Sequence, residues 1–240
     1  MKTIKHFFLL SISGIFFVTT SCIDEFTIRG NGIEASEDRL TSEFNELKSS
    51  GSFDVQVING DDYEVVVNAE SNIIPYIETY VTGSTLHLDI RGLHNINNHL
   101  PMQVIVTAPQ MKSIKQSGSG KIVADYFETG EMELFVSGSG SITTSVNAAV
   151  VNAGISGSGK IIISGTASDA NYNISGSGRI DSYDLNTQYC DAHISGSGSI
   201  FVSASDIIRA TISGSGNVFY IGNPDIETHV SGSGRVISKN

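Results

Sequence analysis

Along residues 117–240, apolar and polar positions alternate with a period of two around a motif that returns at near-constant intervals. The motif is Ser-Gly-Ser-Gly, beginning at Ser117, Ser137, Ser156, Ser175, Ser195, Ser213 and Ser231, with offsets of 20, 19, 19, 20, 18 and 18 residues. The residue before it is Val136, Ile155, Ile174, Ile194, Ile212 or Val230 in every copy but the first. The second residue after it is always Ile or Val, from Ile122 to Val236, and the one between is polar, as at Lys121, Lys160 and Arg179. Successive strand side chains point to opposite faces. The flanking Ile and Val are therefore expected inside, and the same alternation turns both glycines inward and both serines outward.

A unit of this length holds two or three short strands and leaves no room for a helix. Such a unit cannot bury an apolar face alone, but stacked units share a continuous core. At ~3.3 Å per residue, one circuit has a perimeter of roughly 60 Å, and stacking at ~4.8 Å makes seven circuits a rod roughly 30–35 Å long. The pattern predicts an all-β protein, a parallel β-helix or solenoid with coils of about 19 residues, right-handed by the usual crossover preference. Glycine lacks a Cβ and reaches positive φ, so Gly118, Gly138, Gly157, Gly176, Gly196, Gly214 and Gly232 are expected to form a repeated corner. Ser139, Ser158, Ser177, Ser197 and Ser215 then make an outward hydroxyl ladder, a candidate binding surface.

Residues 44–116 are β-rich without the regular motif and are expected to cap the rod or supply irregular first coils, leaving 117–240 as the repeat solenoid. Runs at 53–58 and 63–67 flank Asn59-Gly60-Asp61-Asp62, a hairpin-type turn signal. Ser49-Ser50-Gly51-Ser52-Phe53 is a degenerate copy of the corner.

Address comes from the first residues. Lys2 and Lys5 precede an apolar run from Phe7 to Val18, which is shorter than the ~20 residues a spanning helix needs. Residues 1–21 therefore have the form of a signal peptide. Thr19-Thr20-Ser21-Cys22 resembles a lipoprotein boundary, with Cys22 as the lipidated first residue of the mature chain and Thr19 where a Leu is usual. The membrane is then a partner through the lipid, and the expected location is the outer membrane or cell surface, with periplasm-facing or released forms also compatible. Residues 22–43 carry Asp24, Glu25, Glu34, Glu37, Asp38 and Glu43, the composition of a solvated acidic tether. The only other cysteine, Cys190, is expected to pack inward as a small apolar group.

Charge narrows the partners. The chain is −11 overall, and losing Lys2 and Lys5 with the signal makes the mature form near −13. Such a chain repels phosphate backbones, so nucleic acid is excluded as a partner. A glycan, a protein, or a further copy of the chain remains.

Chemistry is sparse. Asp181, Asp184, Asp191, Asp206, Asp225 and Glu227 fall in neighbouring coils at differing offsets and do not stack into the carboxylate pair a pectinase-like enzyme needs. His193 and His229 share one repeat position but lie two coils, ~10 Å, apart, too far to share an ion whose ligands sit at ~2 Å. His87, His94 and His99 match no ligand spacing. The motif carries no Asp for a calcium turn and no following helix for a phosphate loop. No metal, cofactor or catalytic residue is expected. What remains is a hydroxyl-rich surface with aromatic residues such as Tyr126, Phe127, Tyr183, Phe201, Phe219 and Tyr220, suited to weak multivalent contact. A binding module is favoured over a purely structural envelope component and over a carbohydrate-active enzyme.

The order Gly51-Ser52-Phe53-Asp54-Val55, Gly60, the strand at 63–67, Ala108-Pro109-Gln110-Met111 and the Ser-Gly-Ser-Gly series resembles the auto-transporter adhesin, head GIN domain family over about residues 44–238. The resemblance implies a secreted or lipid-anchored Bacteroidota-type β-solenoid with an adhesive role. Six residues follow the last motif, so no secretion barrel is expected within this sequence.

The lipid anchor is testable directly. Wild-type protein is expected to incorporate radiolabelled palmitate and fractionate with membranes, while Cys22→Ser does neither. A wild type that takes up no label and is released as freely as the variant would refute the anchor.

Overall fold

The computed structural model describes residues 27–240 other than Leu93; the expected signal peptide and Cys22 lie outside the described residues. In chain order the strands are β1 (Thr27–Arg29), β2 (Glu34–Arg39), β3 (Glu46–Ser50), β4 (Asp54–Asn59), β5 (Glu64–Glu70), β6 (Ile77–Thr82), β7 (Thr85–Ile90), β8 (Asn95–Asn97), β9 (Gln103–Ala108) and β10 (Ser113–Gly118). A single 3-10 turn, Ile74–Tyr76, separates β5 from β6. Then come β11 (Lys121–Gly138), β12 (Ser141–Gly157), β13 (Lys160–Gly176), β14 (Arg179–Gly196), β15 (Ser199–Gly214), β16 (Asn217–Ile221), β17 (Asp225–Gly232) and β18 (Arg235–Ser238). The result is a β-solenoid of about 7 turns of about 19 residues.

Strands β11 to β15 each run almost a full circuit, and each pairs in parallel with the next. Inward columns are chiefly apolar: Ile122, Ile142, Ile161, Ile180, Ile200 and Val218 are fully buried, as are Val136, Ile174 and Ile212, with Thr144 and Ser182 buried among them. Where one inward column widens, it narrows beside the wide residue. Tyr172 is stacked between Ala153 and Ala192 in the coils on either side, so two small neighbours leave room for the large ring.

The corner explains the motif. The first glycine of each copy has positive φ, from 100° at Gly118 to 126° at Gly196 and Gly232. A Cβ on Gly176 would lie 2.5 Å from the carbonyl oxygen of Gly157 in the coil below. That same oxygen accepts the Ser177 N–H at 2.9 Å, and the Gly159 oxygen accepts the Arg179 N–H at 3.0 Å. The ladder therefore passes through the bend without losing a backbone bond. This corrects the inward reading of both glycines. The first faces along the rod against the next coil, and only the second is buried with its open side inward, where a Cβ on Gly178 would meet Ile155 Cγ2 at 2.5 Å. The serines are outward, as the alternation requires.

Coil length drifts elsewhere. Register shifts fall between Val123 and Tyr126, Ile162 and Gly165, Ser182 and Asn186, and Thr187 and Tyr189. All four lie away from Ser-Gly-Ser-Gly. The two 19-residue coils of β12 and β13 pair without any shift.

The N-terminal half both caps and begins the rod. Strand β3, the corner at Gly51 (φ 127°) and β4 underlie β10 and β11 as one more parallel coil. Below them lie β7 under β3 and β9 under β4. Antiparallel β6, β5 and β2 then close the stack. The hairpin expected around Asn59-Gly60 does not form, because β9 pairs with both β4 and β5 and separates them. Residues 27–39 are not tether either: β1 pairs with β8, and β2 with β5. Their acids point to solvent while the backbone is fixed by the sheet. Gln116 stands where other copies have Ile or Val and donates to the Gly51 and Ser117 carbonyls at 2.9 and 3.0 Å.

Glu70 latches the N-terminal segment. Its side chain is fully buried and accepts N–H bonds from Gly32, from His99 (2.8 Å) and from Leu100 (3.4 Å), with the His99 Nδ1 at 3.3 Å. Burial alone would raise its pKa, but these bonds outweigh burial and hold it below the ordinary value of 4.5. A depressed carboxylate stabilises the fold above its unfolded pKa, and the contribution is lost as pH falls through the folded value.

Two outcomes follow. Gly176→Val combines positive-φ strain of about 1–3 kcal/mol with an overlap of about 1–3 kcal/mol or more. At about 2–4 °C per kcal/mol for a chain of this size, its melting point is expected to drop by roughly 10 °C, while outward Ser177→Thr melts near wild type. Wild-type melting by Gly176→Val would overturn the corner assignment. For Glu70, hydrogen exchange at residues 31–34 is expected to accelerate below pH 4.5 in the wild type. In Glu70→Gln it should be fast and pH-independent after correction for intrinsic rates; equal protection in both would remove the latch.

Candidate functional site

The strand runs that lead into the corner carry two outward columns, two residues apart. One is Glu133, Asn152, Asn171, Asp191, Arg209 and Glu227; the other is Phe135, Gly154, Asn173, His193, Thr211 and His229. The columns exist because parallel in-register pairing places equivalent residues directly above one another, ~4.8 Å apart.

Side chains in the first column are linked along the rod. Asn152 donates through Nδ2 to Glu131 Oε1 at 2.6 Å, and Asn171 donates through Nδ2 to Asn152 Oδ1 at 2.9 Å. Glu133 accepts from Lys115 Nζ at 2.8 Å and from Ser113 Oγ at 3.0 Å. The Lys115 hydrogen bond, chiefly, holds the Glu133 carboxyl below its ordinary value. Further up, Arg209 lies 2.9 Å from Glu227 and 4.0 Å from Asp191, which raises the guanidinium further. These are exposed pairs, worth little to stability. Their effect is to orient the groups.

Three adjoining hollows make these columns a trough. The lowest, of 730 Å³, lies between Lys112, Glu131, Glu133 and Asn152. The middle one, of 410 Å³, shares Glu133 and Asn152 with it and adds Phe135, Gly154, Asn171, Asn173, Asp191 and His193. The upper, of 270 Å³, shares Asn171 and Asp191 and ends at Arg209. In the middle hollow the Phe135 ring leans over Gly154, where a Cβ would lie 2.8 Å from its Cδ2.

The hydroxyl ladder runs along the corner beside this trough. Ser139, Ser158, Ser177, Ser197 and Ser215 are all exposed, and their backbone N–H groups donate to the corner glycine one coil below at 2.8–3.0 Å. The aromatic residues expected on the surface divide. Phe127 is buried, which corrects its outward placement: a register shift between Val123 and Tyr126 turns it inward. Tyr126 is exposed. Tyr183, Phe201 and Phe219 form a stack on the far side of the corner, with Phe201 and Phe219 centroids 4.8 Å apart and Arg179 over Phe201 at 3.8 Å.

The remaining candidates are dispersed. His193 and His229 share a column with Thr211 between them. His87 stacks on Tyr80, His94 meets Tyr76 edge-on, and His99 belongs to the Glu70 latch. Asp181 pairs with Arg179 at 2.7 Å, and Asp206 accepts from Ser205. Among the described residues no group of three His, Cys, Asp or Glu could hold a metal. Cys190 is buried, and burial pushes its thiol well above the ordinary value. The trough residues Phe135, Asn152, Gly154, Asn171 and Asn173 were not singled out by the motif-centred reading. The signal available was the outward glycine at 154, standing where the alternation calls for an exposed side chain and no corner exists.

The family model described as "Putative auto-transporter adhesin, head GIN domain" matches residues 43–224. Among curated proteins none matches. A crystal structure described as a putative adhesin from Bacteroides fragilis NCTC 9343 is 23% identical, with 88% of this chain and 99% of that one covered and a TM-score of 0.83. One described as a putative lipid binding protein from Parabacteroides distasonis ATCC 8503 is 24% identical, with 89% and 100% covered and a TM-score of 0.76. A putative adhesin from Parabacteroides merdae ATCC 43184 is 23% identical, with 90% and 100% covered and a TM-score of 0.73. At these identities the likeness shows the fold.

Proposed function

The chain belongs to the auto-transporter adhesin, head GIN domain family, and on that footing we propose that it is an exported, non-catalytic adhesive protein, held to the envelope by lipid at Cys22, that binds extended ligand chains lengthwise in the trough. One observation carries this reading: the three hollows flank the first column and share its residues, Glu133 and Asn152 between two of them and Asn171 and Asp191 between the next two, so one long ligand following that column can touch successive coils. Each contact is a single polar group of modest strength, and repetition along one connected ligand supplies the avidity.

The two carboxylates that line the middle hollow argue against turnover there. Glu133 and Asp191 are three coils apart in one column, about 14 Å by coil spacing and beyond the ~6.5–9.5 Å of an inverting glycosidase. A general acid needs a raised pKa, whereas Lys115 holds Glu133 low.

The mature protein is expected to bind members of a glycan and matrix-protein panel saturably, with affinity that climbs with ligand chain length, and without cleaving them. Asn152→Ala with Asn171→Ala removes up to two hydrogen bonds of about 0.5–1.5 kcal/mol each and should weaken binding roughly tenfold. Binding independent of chain length, indifference to the double variant, or reproducible cleavage of a polysaccharide would each refute the proposal.

A further inference from the structure

We infer that the middle hollow, over Gly154, is the anchoring subsite for one pyranose ring of an uncharged glycan, with Phe135 as the stacking platform. The inference rests on the lengthwise-binding reading above and names the ligand class and the position at which it is gripped.

Phe135 is an outward residue at 38% exposure with no polar handle. Its ring reaches across the coil boundary onto the bare backbone at Gly154, and any side chain there would displace it. The contact is made by the Cδ2–Cε2 edge of the ring, which fixes the ring's position, and the part of Phe135 left exposed is an apolar surface that suits the C–H face of a sugar. Aromatic rings give large contact area at little entropic cost.

The surrounding polar groups are preset. Glu131 can only accept, so Asn152 must turn its Nδ2 toward it and present Oδ1 to Asn171, which donates in turn. That relay leaves the Asn171 carbonyl oxygen as an acceptor toward the coil above, beside the Asp191 carboxylate at the next position of the column. Two neighbouring acceptors bind adjacent hydroxyl donors. The same pair repels a uronate or sulfate, and the chain's overall charge of −11 reinforces that exclusion. Preorientation lowers the entropy lost on binding.

Dimensions agree. The hollow's 410 Å³ falls in the ~300–1,000 Å³ range of ligand sites. Coil spacing of ~4.8 Å is close to the advance of one pyranose in an extended chain, so a glycan anchored at Phe135 stays in step with the columns on either side.

The test is calorimetric titration of the mature chain with mannohexaose, cellohexaose and chitohexaose, with hexagalacturonate as the anionic counterpart. At least one uncharged hexamer is expected to bind and the anionic one not. Phe135→Ala should lose at least tenfold in affinity, and Phe135→Tyr should retain it. Tyr126→Ala, outside the trough, should leave affinity unchanged, and all three variants should melt like wild type. An uncharged hexamer that binds Phe135→Ala as tightly as wild type would overturn the subsite while leaving trough binding intact. So would binding confined to hexagalacturonate or to a matrix protein but still lost in the Asn152/Asn171 double variant. Binding that ignores the double variant as well would remove both readings.

Discussion

At every corner the carbonyl oxygen of one coil occupies the space where the next coil would carry a Cβ, and the rest of the solenoid depends on this overlap. The oxygen accepts a backbone N–H from the coil above, so it cannot move aside without breaking the ladder. Only glycine leaves the space open, and the positive φ the bend demands excludes other residues independently. Seven stacked corners obeying both conditions fix the lateral register of every strand that enters and leaves them. Insertions and deletions are consequently pushed to the other bends, where register shifts absorb them and the apolar columns resume in phase. The corner acts as a datum line along the rod.

Such a datum line makes outward positions comparable from coil to coil. Residues separated by 18 to 20 positions in sequence become nearest neighbours in space, and a hydrogen bond such as Asn171 to Asn152 links residues 19 apart. A surface of this kind changes along the rod only where the outward residue changes. Binding surface is thus specified by columns rather than by segments, a different grammar from loops grafted onto a scaffold.

Legibility from the sequence follows the same division. The coil length, the inward Ile and Val columns, the outward serines and the corner glycines were readable because each repeats with its cause. The degenerate corner at Gly51 was readable for the same reason. Features set by non-repeating contacts were not. The Asn59-Gly60 turn signal is genuine, but β9 competes for both edges and wins through parallel pairing with β4 and antiparallel pairing with β5. The acidic run at 34–38 looks solvated because its side chains are, while β5 holds its backbone. Strict alternation also misplaced Phe127, since one extra residue in the first regular coil inverts the phase beyond Val123. Glycine's second role escaped too: alternation describes the inside and outside of a coil but not the axial direction along which the first corner glycine faces its neighbour.

The trough was hidden for a related reason. A repeat is recognised by what its copies share, whereas specificity on a solenoid must reside in what they do not. Uniform columns, such as the serine ladder, offer the same chemistry at every level and cannot hold a ligand at one height in preference to another. Phe135 and Gly154 break their column in opposite directions, one adding a ring and the other removing a side chain in the adjacent coil. The paired departures are what create a hollow, because a large residue beside an ordinary one would merely protrude. A bare glycine beside ordinary residues would leave a shallow dimple with no apolar face. Away from a corner, where positive φ and coil stacking demand no glycine, an outward glycine next to an outward aromatic is therefore the place where this fold can exchange regularity for recognition.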